Sequence, residues 1–397
     1  MMEWKEYSLH EIASFSQGKQ VPVGDQFEKE LVELDRFIRI VDFTSDWTQS
    51  PRFVKKDDKY KVDKNDIVML RYGTPGKVFR GHEGIIANNM FKISPDESIV
   101  SKEYLYWFLF QDSVYKILMA NQSSSTMPAI SFKMLSCVNV KIPSFETQKH
   151  ISSFFDSIDA KITVNKKICE NLEAQAQALF KHWFVDFAPF KDGKFVESEL
   201  GMIPEGWRVG RLEEMASVVG SGGTPKSSVK EYYIGDILWY GTGEFNDSFI
   251  YDSEKHISQE AIDNSSAKIF PIHTVLIAMY GATVGKLAIL SNEASFNQAA
   301  LGIVAADNIG FPFIYLTLLA CRKQLIRLAC GAAQQNLNAG TIKSHLTIIP
   351  NDNTMMSFND LILPIFEKVE CLQKESHRLT TLRDTLLPKL MSGEIKI

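Results

Sequence analysis

The stretch Ile151-Ser-Ser-Phe-Phe-Asp-Ser-Ile-Asp-Ala-Lys-Ile162-Thr-Val-Asn165-Lys-Lys-Ile-Cys169-Glu-Asn-Leu172-Glu-Ala-Gln-Ala176-Gln-Ala-Leu179-Phe-Lys-His-Trp183 decides the reading of this chain. Ile151, Phe155, Ile158, Ile162, Asn165, Cys169, Leu172, Ala176, Leu179 and Trp183 follow one another by steps of four and three. That is heptad spacing, which puts them on one seam of a long helix. Asn165 is its polar member, a residue type that fixes register at a cost in stability. A second seam follows much later: Phe358, Ile362, Ile365, Val369, Leu372, Ser376, Leu379, Leu382, Leu386 and Leu390. There Pro364 predicts that regular helix starts close to it, and Pro388 with Gly393 predicts its end. Helices of about 35–40 residues are roughly 50–60 Å long. A small domain cannot cover such a stripe, so the two are expected to pair, antiparallel being the plausible direction. The alternative is two separate helices, each packed on its own domain.

Each seam closes one copy of an internal repeat with a period of roughly 200 residues, far longer than a solenoid repeat. Trp4-Lys-Glu-Tyr-Ser-Leu-His-Glu-Ile-Ala-Ser14 opens the first copy and Trp207-Arg-Val-Gly-Arg-Leu-Glu-Glu-Met-Ala-Ser217 the second. A strand running into a glycine turn and a lysine follows in both, Ile67-Val-Met-Leu-Arg-Tyr-Gly-Thr-Pro-Gly-Lys77 and Val275-Leu-Ile-Ala-Met-Tyr-Gly-Ala-Thr-Val-Gly-Lys286. Asn88-Asn89 is echoed by Asn297-Gln298, and polar loops come next, Asn121–Thr126 and Gln334–Asn338. Short strands ending at Pro143 and Pro350 lead to the helices. The predicted boundaries are a globular half at 1–143, a helix at 144–186, a turn-rich linker at 187–206, a second globular half at 207–350, and a distal helix and tail at 351–397. Lys61–Leu70 and Ile269–Ala278 end in buried-strand patterns, while Tyr104–Met119 and Phe313–Cys330 read as helices. Strands and helices do not alternate regularly, so the halves are expected to be α+β.

With 397 residues, 45% of them hydrophobic, the chain has material for more than one core. The charged start is unlike a signal peptide, and Phe311–Ala320 is too short to span a bilayer, so a cytoplasmic protein with no membrane role is expected. Cys137, Cys169, Cys321, Cys330 and Cys371 are scattered without a Cys-x-x-Cys pair, which predicts reduced, mostly buried thiols. A net charge of −5 argues against coating DNA by bulk electrostatics and leaves local basic patches open.

Catalytic patterns are missing. Gly281-Ala-Thr-Val-Gly-Lys286 is one residue short of a phosphate loop, and Leu287 stands where Ser or Thr must hold magnesium. Zincin, nucleophile-elbow and dinucleotide patterns do not occur. His82, His182 and His345 sit in no metal-ligand spacing.

Several segments resemble a known family. Leu172 to Phe187, Gly201-Met-Ile-Pro-Glu-Gly-Trp207 and Leu382-Arg-Asp-Thr-Leu-Leu-Pro-Lys-Leu-Met-Ser-Gly-Glu-Ile395 resemble the conserved regions of type I restriction–modification specificity (S) subunits. Ser221-Gly-Gly-Thr-Pro225 and Tyr280–Lys286 are similar to its target-recognition signatures, whereas Gln17-Gly-Lys19 departs from them. The resemblance implies two target-recognition domains joined by an antiparallel coiled coil, reading a bipartite double-stranded DNA target with one domain per half-site. It implies no catalysis by the chain itself and no cofactor on it. S-adenosylmethionine, ATP and magnesium are expected on two modification (methyltransferase) subunits and on restriction (translocase/endonuclease) subunits.

Bases are best read by Arg, Lys, Asn and Gln, and phosphates by Lys, Arg, Ser, Thr and Tyr. The candidate DNA contacts are Arg71, Tyr72, Thr74, Lys77, Asn88, Asn89, Ser123, Ser124, Ser125 and Thr126 in the first half. In the second they are Tyr280, Thr283, Lys286, Asn297, Gln298, Gln334, Gln335 and Asn336. Positions repeated in both halves suit phosphates or the shared fold. The divergent loops, Ser123–Thr126 and Gln334–Asn336, suit base reading. A coiled-coil adaptor carrying two ligand-binding domains remains the rival class.

Overall fold

The computed structural model describes residues 4–44, 47–121, 129–329 and 336–396. They fall into two compact units, Met1–Ile162 with Arg378–Ile397, and Thr163–His377. Both units are α+β.

In the first unit the opening strand, Lys5–Ser8, pairs antiparallel with the closing strand, Asn139–Ile142. A four-stranded antiparallel sheet runs in the order Ala13–Gln17, Met90–Pro95, Ile67–Leu70, Val78–Phe79. A second sheet orders Phe53–Lys55, Leu34–Ile38, Gly84–Ile86 and Lys61–Val62. Ile67–Leu70 is buried on both faces. Because side chains alternate along a strand, Ile67 and Met69 join Phe91, Tyr104 and Trp107 in one core, while Val68 and Leu70 join Phe37, Ile85 and Met90 in another. The helix expected over Tyr104–Met119 is two helices, Lys102–Phe110 and Asp112–Ala120. Between them Gln111 is extended (φ −62°, ψ 138°), and its buried amide donates to the Phe108 carbonyl at 2.9 Å. Asp66, also buried, binds Lys92 and Lys102 at 2.5 and 2.9 Å. Burial opposes its ionisation, but the two ammonium groups prevail and hold the carboxyl below its usual range.

The second unit repeats this plan. Arg208–Arg211 pairs with Leu346–Ile349. Its main sheet orders Ala216–Ser221, Ala300–Ala305, Val275–Ala278, Leu287–Leu290 and Phe249–Ile250. Val275–Ala278 again feeds two cores, Val275 and Ile277 on the side of helix Phe311–Ala329, and Leu276 and Ala278 on the other. The stretch after Phe187, read as turn-rich linker, holds a hairpin, Phe195–Ser198 with Gly201–Pro204. Phe187 and Phe190 pack on Trp207 with ring centroids 5.8 and 4.9 Å away.

Two long helices, Phe145–Phe184 and Asp352–Ser392, complete both cores. In the second unit, the Asn165 amide donates to the Leu372 carbonyl and Ser376 Oγ, Cys169 Sγ lies 3.8 Å from the Val369 carbonyl, and Phe180 packs on Phe358. Rising numbers meet falling ones, so the segments are antiparallel. In the first unit Asp159 meets Arg383, and Ile151, Phe155 and Ile158 pack with Leu387 and Leu390, in the same sense. No member of the central seam is exposed.

The distal seam departs from its expected pattern. Phe366 and Leu387 are buried, Ile365 and Leu386 only partly, and Leu382 is exposed. Nor do the prolines bound the helix, which starts at Asp352 and runs to Ser392. Pro364 and Pro388 both sit on its exposed side with Asp360 and Asp384, where water can serve the carbonyls that proline leaves unbonded.

Asp156 of the central helix accepts from Trp107 Nε1 at 2.7 Å and from Arg80 at 2.6 Å. Trp107 is fully buried, so Asp156→Ala strands its N–H and is expected to cost about 1–3 kcal/mol in urea unfolding. Asp159→Ala, which removes a longer pair with Arg383 at 3.4 Å and strands no buried N–H, is expected to cost less than about 1 kcal/mol. Equal losses in the two variants would show that the Trp107 hydrogen bond does not carry the difference.

Candidate nucleic-acid interface

The buried strand of each half ends in the glycine turn. In the first, the Leu70 N–H donates to the Lys77 carbonyl (2.9 Å), Gly76 to Leu70 (2.8 Å) and Lys77 to Thr74 (3.4 Å). In the second, Ala278 donates to Lys286 (2.9 Å), Gly285 to Ala278 (2.9 Å) and Lys286 to Thr283 (2.9 Å). The bonding is the same although the second turn is one residue longer. Gly76 and Gly285 have φ of 89° and 80°, a region that favours glycine, and both press against the helix behind the sheet. A Cβ would lie 3.3 Å from Leu118 in one and 2.9 Å from Ile326 in the other. These are strand-to-strand turns and not phosphate loops.

Beside each turn runs the neighbouring strand. Arg71 donates its N–H to the Asn89 carbonyl at 2.9 Å, and Met279 to Ala299 at 2.7 Å. Gly18 donates to Met90 and Gly222 to Ala300, at 3.0 and 3.2 Å. The structural repeat therefore aligns Asn88 with Gln298 and Asn89 with Ala299, one residue away from the sequence pairing of Asn88-Asn89 with Asn297-Gln298. Asn297 aligns with Ala87 and closes a local turn, its Oδ1 accepting from the Ala299 N–H at 3.1 Å. Gly18 and Gly222 are required by close approach, since a Cβ would lie 2.2 Å from the Ala87 carbonyl oxygen or 2.1 Å from that of Phe296.

The structure thus brings Arg71, Tyr72, Thr74, Lys77, Asn88 and Asn89 together around one turn, and Tyr280, Thr283, Lys286, Gln298 and Asn336 around the other. Thr74, Lys77, Tyr280, Lys286, Gln298 and Asn336 are exposed. The Tyr72 ring lies 5.3 Å from the Arg71 guanidinium, and the Thr283 hydroxyl donates to the Tyr280 carbonyl at 3.3 Å. Ser123, Ser124, Ser125, Thr126, Gln334 and Gln335 lie outside the described residues. The chain beyond each of those stretches pairs with its turn, Ile130 N–H with the Arg71 carbonyl (3.1 Å) and Leu337 N–H with the Met279 carbonyl (2.8 Å). Three residues of the compared segments Gln17-Gly-Lys19 and Ser221–Pro225 are not among the candidate contacts. Gln17 donates to the Asn88 carbonyl at 3.0 Å, Thr224 hydrogen-bonds Gln298, and Lys19 pairs with Asp57 at 2.7 Å. The hydrogen bond from Lys19 holds the Asp57 carboxyl below its usual range. Gln17 and Thr224 reach the strand beside each turn from distant parts of the sequence, which the fold and not the local pattern reveals.

Among the described residues, neither Lys77 nor Lys286 forms an ion pair. Their ammonium groups are free to meet an anion. No cluster of metal-ligating side chains occurs among the described residues, and no helix there is long and apolar enough to cross a membrane. Cys169 and Cys321 are buried free thiols, Cys137 is half-buried, Cys371 is exposed, and Cys330 lies outside the described residues.

Residues 1–174 and 204–380 match the family model of the type I restriction modification DNA specificity domain. The chain is 27% identical to the type I restriction enzyme HindI specificity subunit of Haemophilus influenzae, with both chains covered in full. It is 28% identical to the MjaIX specificity subunit of Methanocaldococcus jannaschii over 84% of this chain and 78% of that one. The crystal structure of an S subunit from M. genitalium shares the fold, with a TM-score of 0.62 at 15% identity over 98% of this chain and 96% of that one.

An exposed, unpaired lysine on a turn common to both halves fits a phosphate contact. Lys77→Ala and Lys286→Ala are each expected to weaken DNA binding for all sequences and to reduce the slope of log K against log[salt] by about one unit. An altered sequence preference at unchanged slope would identify the lysine as a base reader.

Proposed function

The chain belongs to the type I restriction–modification DNA specificity family, and from that premise we propose that it reads a bipartite double-stranded DNA target, one half-site for each globular half. The observation that carries this is the duplicated glycine turn, with the same backbone bonds and, among the described residues, a lysine that forms no ion pair in either half. Duplicated anchors on diverged surfaces suit two similar dockings on two different sequences. Dimeric DNA readers achieve the same with two identical subunits and a palindromic site.

The chain is a recognition subunit and not an enzyme in its own right. In this reading it presents modification and restriction subunits to the DNA, and those subunits bring S-adenosylmethionine, ATP and magnesium. The paired helices suit such docking, since Val164, Ile168, Met356 and Leu361 are exposed apolar residues on them. A complex that acts on intracellular DNA would work in the cytoplasm.

Exchanging residues 207–350 for those of a relative with another target is expected to change one half of the recognised sequence and leave the other intact. Methylome sequencing of a host expressing the chimera with its modification subunit reads the result. A change in both halves, or in neither, would refute one domain per half-site.

A further inference from the structure

We propose that Arg71 and Asn89 form a base-reading pair in the first half that the second half lacks, so that one glycine turn selects sequence while the other only anchors. This deepens the reading of the chain as a two-site DNA reader and depends on it.

The backbone bonds fix the equivalence. Arg71 and Asn89 are joined by the same N–H to carbonyl bond as Met279 and Ala299, one step beyond the register pairs Leu70–Met90 and Ala278–Ala300. A polar pair in one half thus replaces an apolar pair in the other, within an otherwise identical bonding pattern. Met279 is buried in the core between sheet and helix. Arg71 puts a cation, half-buried, where that methionine sits.

Neither polar side chain is satisfied. Arg71 Nε and Asn89 Oδ1 are both covered and without a hydrogen-bond partner. Among the described residues the guanidinium has no acid partner, and the Tyr72 ring 5.3 Å away is the aromatic face beside it. Buried polar groups are nearly always paired in a folded chain, so two unpaired ones on backbone-paired residues beside the turn mark hydrogen-bonding capacity that the fold leaves unused. Their chemistry specifies it. A guanidinium fork matches O6 and N7 of guanine in the major groove, and an Asn carboxamide nitrogen donates to N7 of a purine. Lys77, exposed on the same turn, can hold the adjoining phosphate. The ligand class is a purine-containing step, with guanine opposite Arg71.

The second half supplies the test, because its turn already folds with Met and Ala at these places. The full chain carrying Arg71→Met with Asn89→Ala is expressed with its modification subunit, and the methylated motif is compared with that of the unaltered complex. The expected result is relaxation at one or two positions of one half-site, by about tenfold in discrimination or more, with the other half-site unchanged. Should methylation be too weak to map, binding of the purified complex to duplexes randomised in that half-site gives the same comparison. Arg71→Lys keeps the charge and removes the fork, so it is expected to lose the guanine preference at an unchanged salt slope. An unchanged motif in the double variant overturns the proposal, whether or not the melting temperature falls, and so does a uniform loss of affinity for all sequences. If the unaltered complex itself showed no two-part motif, the functional reading would fail before this inference was reached.

Discussion

A helix of 40 residues with an apolar stripe along its length must cover that stripe, and here another helix of 41 residues does so in antiparallel register. The first compact unit is not a continuous length of chain as a result, since it joins Met1–Ile162 to Arg378–Ile397. Ile151, Phe155 and Ile158 share a core with Leu387 and Leu390, more than half the sequence away, and Cys169, Ala176 and Phe180 share one with Phe358, Ile362 and Val369. The tail from Arg378 onward is therefore part of the first unit's core and not an appendage. Asn165 fits this arrangement as a register device. It is fully buried, and its amide finds Glu375, Ser376 and the Leu372 carbonyl only when the segments are aligned as they are.

The central strand of each half imposes the second constraint. Its alternate residues supply two cores, so a slip of one residue would exchange them wholesale. That fixes where the strand must end, and hence where the glycine turn projects. Gly76 and Gly285 then allow the turn to rest on the helix behind it. The candidate interface is held by core packing and backbone bonds, while its exposed side chains remain free to differ.

Much of this was legible in the sequence. The ten positions of the central seam stand out because heptad spacing has one structural meaning at that length. The repeat was visible because tryptophan, glycine and lysine recur at matching places. The losses have physical reasons. Pro364 and Pro388 read as boundaries, but on the exposed side of a helix clamped by its partner a missing hydrogen bond is left to water. Gln111 breaks a helix that periodicity reads as continuous, because its amide caps the preceding turn. The alignment of Asn88 and Asn89 went astray by one residue because neighbouring Asn and Gln look alike in sequence, whereas backbone bonds distinguish them.

The acidic balance looks contrary to DNA binding until the charges are placed. Arg36 and Arg39 are tied to buried Asp42, Lys92 and Lys102 to buried Asp66, and Arg322 to Asp247. These cations hold the fold and add little to an external field. With a net charge of −5 the long-range attraction to any duplex is weak. On the proposed reading, affinity comes from contacts made on docking, with the lysines and the polar groups beside the glycine turns as the candidates. Weak bulk attraction lowers binding to arbitrary DNA more than binding to a matched site, because counterion release supplies most of the former and only part of the latter. For a reader that must ignore most of a genome, a negative chain with a few unpaired cations is therefore better suited than a uniformly basic one.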